Sequence, residues 1–251
     1  MYICIMKTIK TYLTNLPKGV KWIFSVNISI YLLCLITLYG FNYKLQNYLG
    51  FYPTYSENFN PLQLITDMFT HSTDVNHIFF NMLFFLIFAP FVENKIGTKL
   101  FIISYFICGT LGNIFVNYNY YESKVKIEQS IKSVGIEVKD IKVTNFSVDE
   151  SYLDSLNPNQ VSVVSDYDYV ISKSYGSSSS LFGIILIYIL LNFLNIKKVL
   201  FNVLCVYLIS VVITGFMFND VIYSGSDYAH VGGLFGGLLL FVWVKIKKGT
   251  I

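Results

Sequence analysis

The sequence predicts an all-α membrane protein, and three observations carry that expectation. Only 13% of the 251 residues are charged, against about 25% in soluble domains, while 54% are hydrophobic and 18% aromatic. Six stretches are apolar and close to the roughly 20 residues that a helix needs to cross a bilayer. Of the 18 basic residues, all of them lysine, eleven gather at the N-terminus, in alternate connections between those stretches and after the last. A net charge of +3 is too small to suggest a nucleic-acid partner.

The first stretch, Trp22–Tyr39, follows Lys7, Lys10, Lys18 and Lys21, the charged-then-apolar order of a signal sequence. No small-residue cleavage site follows it, the first alanine being Ala89, so an uncleaved anchor is expected. Gly40–Asn76 forms an outer loop rich in aromatics (Phe41, Tyr43, Tyr48, Phe51, Tyr52, Tyr55). Tyrosine favours the membrane–water boundary, so this loop is expected to anchor in the headgroup layer, with a binding role as the alternative.

The second stretch, His77–Val92, opens with His77-Ile-Phe-Phe-Asn81. Residues four apart share a helical face, and two polar side chains stacked on an apolar helix face protein rather than lipid. Glu93 and Gly97 close this helix, and Glu93 is expected to tie helix ends together. The third stretch is Leu100–Asn117.

Tyr118–Tyr175 has a different composition, with six lysines against nine acidic residues. It reads as a small extracytoplasmic insertion. A helix is expected over Glu122–Val134, stopped by Gly135, with strand material at Ile136, Val138, Ile141 and Val143 and again over Val161–Ile171.

The fourth stretch, Ser178–Asn195, opens with serines that are either a helix cap or something chemical. The fifth, Val199–Phe218, carries no charge and reads as packing. The sixth, Tyr228–Val244, places His230, Gly233 and Gly237 on one face, a seam that lets a neighbouring backbone approach closely. The second and sixth are short, so their outer ends should lie against protein. Cys4, Cys34, Cys108 and Cys205 show no metal or disulfide spacing, and three lie in apolar stretches as small core hydrophobes. No metal or cofactor is expected.

With the N-terminus in the cytoplasm, the lysines before the first stretch, Lys95 and Lys99, Lys197 and Lys198, and Lys245, Lys247 and Lys248 all fall on the cytoplasmic side. The opposite loops carry Glu57, Asp67, Asp74, Asp220 and Asp227, with Lys44 against them. Stretches two, four and six then run in one direction, and His77 with Asn81, Ser178 and His230 share one depth near the outer surface. A serine beside a histidine is the minimum for nucleophilic catalysis. His77, Asn81 and the Ser178 N–H are candidate donors to an oxyanion. Asp227 is expected to face solvent, which favours a dyad over a triad.

Four motifs carry a resemblance: H-I-F-F-N at His77–Asn81, V-E-N-K-I-G at Val92–Gly97, G-S-S at Gly176–Ser178 with Phe182-Gly183 after it, and A-H-V-G-G-L at Ala229–Leu234. In that order and spacing the chain resembles the rhomboid intramembrane serine proteases, from about Phe69 to Val244 outside the insertion. The resemblance implies a six-transmembrane-helix rhomboid bundle with an extracytoplasmic insertion between helices 3 and 4. Residues 1–117 would hold the anchor, outer loop 1 and helices 1–3, residues 118–175 the insertion, and residues 176–251 helices 4–6. It makes Ser178 the nucleophile, His230 the base, and His77 and Asn81 the lining of the oxyanion site. The substrates implied are transmembrane segments of other membrane proteins, cut near their outer end within the lipid bilayer. The plain anchor favours a bacterial cytoplasmic membrane with both termini in the cytoplasm.

Three departures stand out. Ser179 occupies a position where the family usually has glycine, Phe182 one where tyrosine is frequent, and the Trp-Arg pair of the first outer loop is missing. Ser179 is the best support for the alternative, a catalytically inactive rhomboid-like protein that binds transmembrane helices.

Overall fold

The computed structural model describes residues 11–12, 14–144, 146–192 and 225–247. Among these, four helices are long and apolar enough to cross a membrane: α1 (Lys18–Phe41), α4 (Val75–Ile96), α5 (Thr98–Ser133) and α10 (Gly225–Lys247). A fifth apolar helix, α9 (Ser178–Leu191), is shorter. These five correspond to the first, second, third, sixth and fourth apolar stretches. The fifth stretch, 199–218, lies outside the described residues.

Helix α1 starts after Pro17 with no side chain of its own to satisfy its first N–H groups. Glu93, at the far end of α4, supplies the acceptor. Its Oε1 takes the Gly19 N–H at 2.9 Å and its Oε2 the Val20 N–H at 2.7 Å, while Thr98 Oγ1 donates to Oε1 at 2.6 Å. A buried carboxylate at a helix N-terminus meets both free N–H groups and the positive end of the helix dipole. The expected tie between helix ends is therefore a cap. Gly97, at φ 86, then turns the chain from α4 into α5.

Glycine sets the packing of α10. A Cβ on Gly233 would lie 2.0 Å from the Ser179 carbonyl, and one on Gly237 would lie 2.5 Å from that of Gly183. Gly232 and Gly236 sit in the same way against Leu111, Gly112 and Cys108 of α5. Helix α10 thus presents one glycine stripe to α9 and a second to α5, and backbones meet where side chains would hold them apart. Around this seam Phe85, Phe88, Phe101, Tyr105, Cys108 and Ile184 form the apolar core. Cys34 and Cys108 are buried free thiols, and Cys4 and Cys205 lie outside the described residues.

The connection from α1 to α4 is drawn inward. It holds α2 (Gln46–Leu49), α3 (Gln63–Thr66) and a 3-10 turn over Asp67–Phe69. Phe51, Tyr52, Met68 and Phe69 are buried in protein, whereas Tyr43 and Tyr48 stack on one another at the surface. Only part of the aromatic loop is therefore free to anchor in a headgroup layer.

The segment between α5 and α9 corrects two expectations. The helix expected over 122–134 is the continuation of the third stretch: α5 runs unbroken for 36 residues, about 54 Å, before Gly135 at φ 79 ends it. A bilayer core of about 30 Å leaves its last turns projecting from the bundle. The strand expected over 161–171 is two helices, α7 (Pro158–Ser165) and α8 (Tyr167–Ile171). Asn157 and Gln160 form a capping box with Pro158 at the first helical position, and that start signal outweighs the β-branched run behind it. Helix α6 (Glu150–Leu153) precedes them, and β1 (Val143–Thr144) pairs with β2 (Ser147–Val148) in a short hairpin. Ile127 and Ile131 of α5 join Ile136, Ile141, Val148, Val164 and Val170 in a second small core.

This segment is tied to its surroundings at three places. Phe51 and Ser174 exchange backbone bonds at 2.9 Å each. Tyr55 Oη donates to the Val170 carbonyl at 2.7 Å, with Lys124 Nζ 4.1 Å above its ring. Asn119 Nδ2 donates to Tyr169 Oη, which lies against Gly225 at the start of α10.

Candidate active site

Helices α4, α9 and α10 begin at the same end of the bundle, and the polar side chains of their first turns converge there. Gly176, at φ 132, gives its N–H to the Asp67 carbonyl at 3.1 Å and turns the chain into α9. Ser178 is then the first helical residue, so its N–H has no partner within the helix and lies at the positive end of the dipole.

His230 Nε2 lies 3.0 Å from Ser178 Oγ, and the Phe182 ring stacks on the His230 imidazole at 4.1 Å and 17°. That stack fixes the ring plane and needs no tyrosine hydroxyl. Asp227, three residues before His230, is exposed. His77 lies at the edge of the pair: a Cβ built on Gly176 would be 3.0 Å from His77 Nε2 and 3.9 Å from Ser178 Oγ. Asn81 is buried and donates one Nδ2 hydrogen to the His77 carbonyl at 2.9 Å, within its own helix. The structure thus joins Ser178 to His230, brings His77 beside them, and among the described residues gives Asn81 Nδ2 one acceptor, the His77 carbonyl.

Each of the four serines has its own neighbour, which separates them chemically. Ser177 is buried with its Oγ 3.2 Å from His71 Nε2. Ser178 is half-buried against His230. Ser179 is buried with its Cβ turned to α5, where a Cβ on Gly112 would come within 2.4 Å of it. Ser180 Oγ donates to the Tyr105 carbonyl at 2.8 Å. Ser178 alone among the four pairs with a histidine while remaining open to a ligand.

Sequence reasoning missed His71, Asp67 and Gly112. His71 packs edge-on to His77 with ring centroids 5.1 Å apart, and burial, reinforced by His77, pushes its pKa down to about 3. It is a neutral clamp between the loop and the serine turn. The one signal for it was that a chain with three histidines places this one six residues before His77. Asp67 is buried, accepts from Asn113 Nδ2 at 3.0 Å, and is pushed by burial up to about 8. No cluster of metal-ligating side chains occurs among the described residues.

A bundle of apolar helices with a serine–histidine pair at one end defines an integral, multi-pass membrane protein. The Rhomboid domain family matches residues 58–136 and 153–247, more than half of the chain, and the chain belongs to that family. Members of the family are generally intramembrane proteases. The chain is 31% identical over 101 residues to Rhomboid-like protease 3 of Toxoplasma gondii, a match covering 39% of this chain and 38% of that protein. No solved structure matches significantly. The family match is interrupted over 137–152, which contains the β1–β2 hairpin.

Proposed function

We propose that this protein is an intramembrane serine endopeptidase that cuts transmembrane segments of other membrane proteins near their outer end through a Ser178–His230 dyad. The observation that carries the reading is the 3.0 Å contact between Ser178 Oγ and His230 Nε2, at the open end of an otherwise apolar bundle. Ser178 Oγ attacks the scissile carbonyl while its proton passes to His230 Nε2. The oxyanion receives the Ser178 N–H, His77 Nε2–H and the second hydrogen of Asn81 Nδ2. His230 then protonates the leaving amine, and a water activated by the same imidazole releases the acyl group.

The reading completes the bundle with a fifth transmembrane helix over 199–218, giving six. It places both termini in the cytoplasm of a bacterial cell and residues 118–175 outside as an insertion. The lysine distribution supports that orientation. The rival reading, a rhomboid that binds helices without cutting, leans on Ser179. Gly112 supplies the room that the Ser179 side chain needs, which supports the active form.

The test is labelling of the purified protein in detergent by a fluorophosphonate, with cleavage of a model transmembrane substrate. Ser178→Ala and His230→Ala are expected to lose at least about a thousandfold in cleavage, together with the label. Ser179→Ala is expected to keep both. A wild-type protein that neither labels nor cleaves, and gains activity with Ser179→Gly, would be the silent binder.

A further inference from the structure

An oxyanion donor is useful only if its proton is on the nitrogen that faces the site, and neutral imidazole carries one proton for two nitrogens. The surroundings of His77 decide which. The turn His71–Asp74 folds back over the first turn of α4, so that Ser72 N lies 3.3 Å from His77 Nδ1 and Ser72 Oγ 3.1 Å from the same atom. The hydroxyl could serve either as donor or as acceptor. The backbone N–H can only donate, which favours a bare Nδ1 and turns the closer hydroxyl into a second donor, so that the two together hold the proton off Nδ1.

We infer that Ser72 is a positioning residue that fixes His77 in the tautomer with its proton on Nε2, the nitrogen lying over Gly176 beside Ser178. The inference rests on the reading of His77 as an oxyanion donor. Three features serve the same end. The His71 ring, edge-on at 5.1 Å, and the Tyr175 ring, at 6.4 Å, flank the imidazole and restrict its rotation. Asp74 caps α4 by accepting the Asn76 N–H at 2.9 Å, which holds the turn that carries Ser72. Gly176 leaves the Nε2 edge clear, since a Cβ there would sit 3.0 Å from it. The site consequently needs its two histidines in opposite tautomers. His77 donates from Nε2, and His230 accepts the Ser178 proton on Nε2.

The three histidines of the chain make this directly measurable. In protein labelled with ring ¹⁵N-histidine and held in detergent micelles, a two-bond ¹H–¹⁵N correlation spectrum at neutral pH contains three ring systems from the described site. His71→Gln and His77→Gln spectra assign them. The expected result is a His77 ring with Nε2 protonated and Nδ1 bare; a proton on Nδ1, or an imidazolium, would overturn the inference. Ser72→Ala, which removes the hydroxyl donor and keeps the N–H, is expected to admit some of the other tautomer and lower kcat about fivefold at unchanged KM. Ser72→Thr is expected to restore both. An unaltered His77 spectrum with unaltered kcat in Ser72→Ala, or no recovery in Ser72→Thr, also counts against it. Loss of fluorophosphonate labelling in wild type would sink the protease reading instead, while the His77 ring nitrogens would still report their tautomer.

Discussion

Asp67 shows how a single buried group connects the loop, α5 and the serine turn. Its side chain takes the Asn113 amide, and its carbonyl takes the Gly176 N–H that sets the entry to α9. Burial pushes the carboxyl up to about 8 in the folded protein, from the ordinary 3.8 of an exposed aspartate. Between those values the folded state holds a proton that the unfolded state has lost, so stability falls as pH rises through the window and levels off above about 8. Asp67→Asn keeps an oxygen for Asn113 and removes the charge. The wild type should therefore lose apparent Tm between pH 5 and 9 more steeply than Asp67→Asn, and the variant should be the more stable of the two at pH 9. Parallel melting curves across that range would show that Asp67 does not carry this dependence.

At the scale of elements, the glycine stripes of α10 and Gly112 of α5 set how close three helices come at the site. Gly112→Ala would put a Cβ 2.4 Å from Ser179 Cβ and 3.0 Å from the Ala229 carbonyl. Overpacking of this kind costs about 1–3 kcal/mol, and here it would separate the helix carrying Ser178 from the helix carrying His230. Gly112→Ala should lower both Tm and cleavage, and adding Ser179→Gly should recover part of each, since the two residues occupy one space. Strictly additive effects would refute that sharing. Ser179 had read as the chief departure from the family, and its accommodation lay beyond the sequence because Gly112 is 67 positions away. Helix positions were legible wherever apolar length decided them. The end of α5 was misjudged because the change in composition after Asn117 marks departure from apolar surroundings, whereas a helix ends only where the backbone demands it, at Gly135. Over 161–171 the β-branched pattern invited a strand, and the capping box four residues upstream was the stronger local signal. The convergence of Ser178, His77 and His230 in the candidate site could be read from their shared place at helix starts. His71 and Ser72 act through a loop fold that no periodicity encodes.

For the whole molecule, the proposed chemistry requires a particular side of the membrane, and the lysine pattern commits to one. Helix α5 provides the ruler, because one unbroken helix has exposed residues at both ends: Lys99 beside the α4–α5 turn and Ser130 in the projecting turns. If the site end faces outward, a membrane-impermeant maleimide added to intact cells should label Ser130→Cys at once and Lys99→Cys only after detergent. The native Cys34 and Cys108 are buried, so they should contribute little background, and the unaltered chain measures whatever Cys4 and Cys205 add. The reverse pattern would invert the bundle, put the Ser178–His230 pair at the cytoplasmic surface and make the outer end of a substrate helix the wrong end to cut. Labelling of both positions in intact cells would mean that α5 does not span the membrane, and the depth argument that groups His77, Ser178 and His230 would then fail with it.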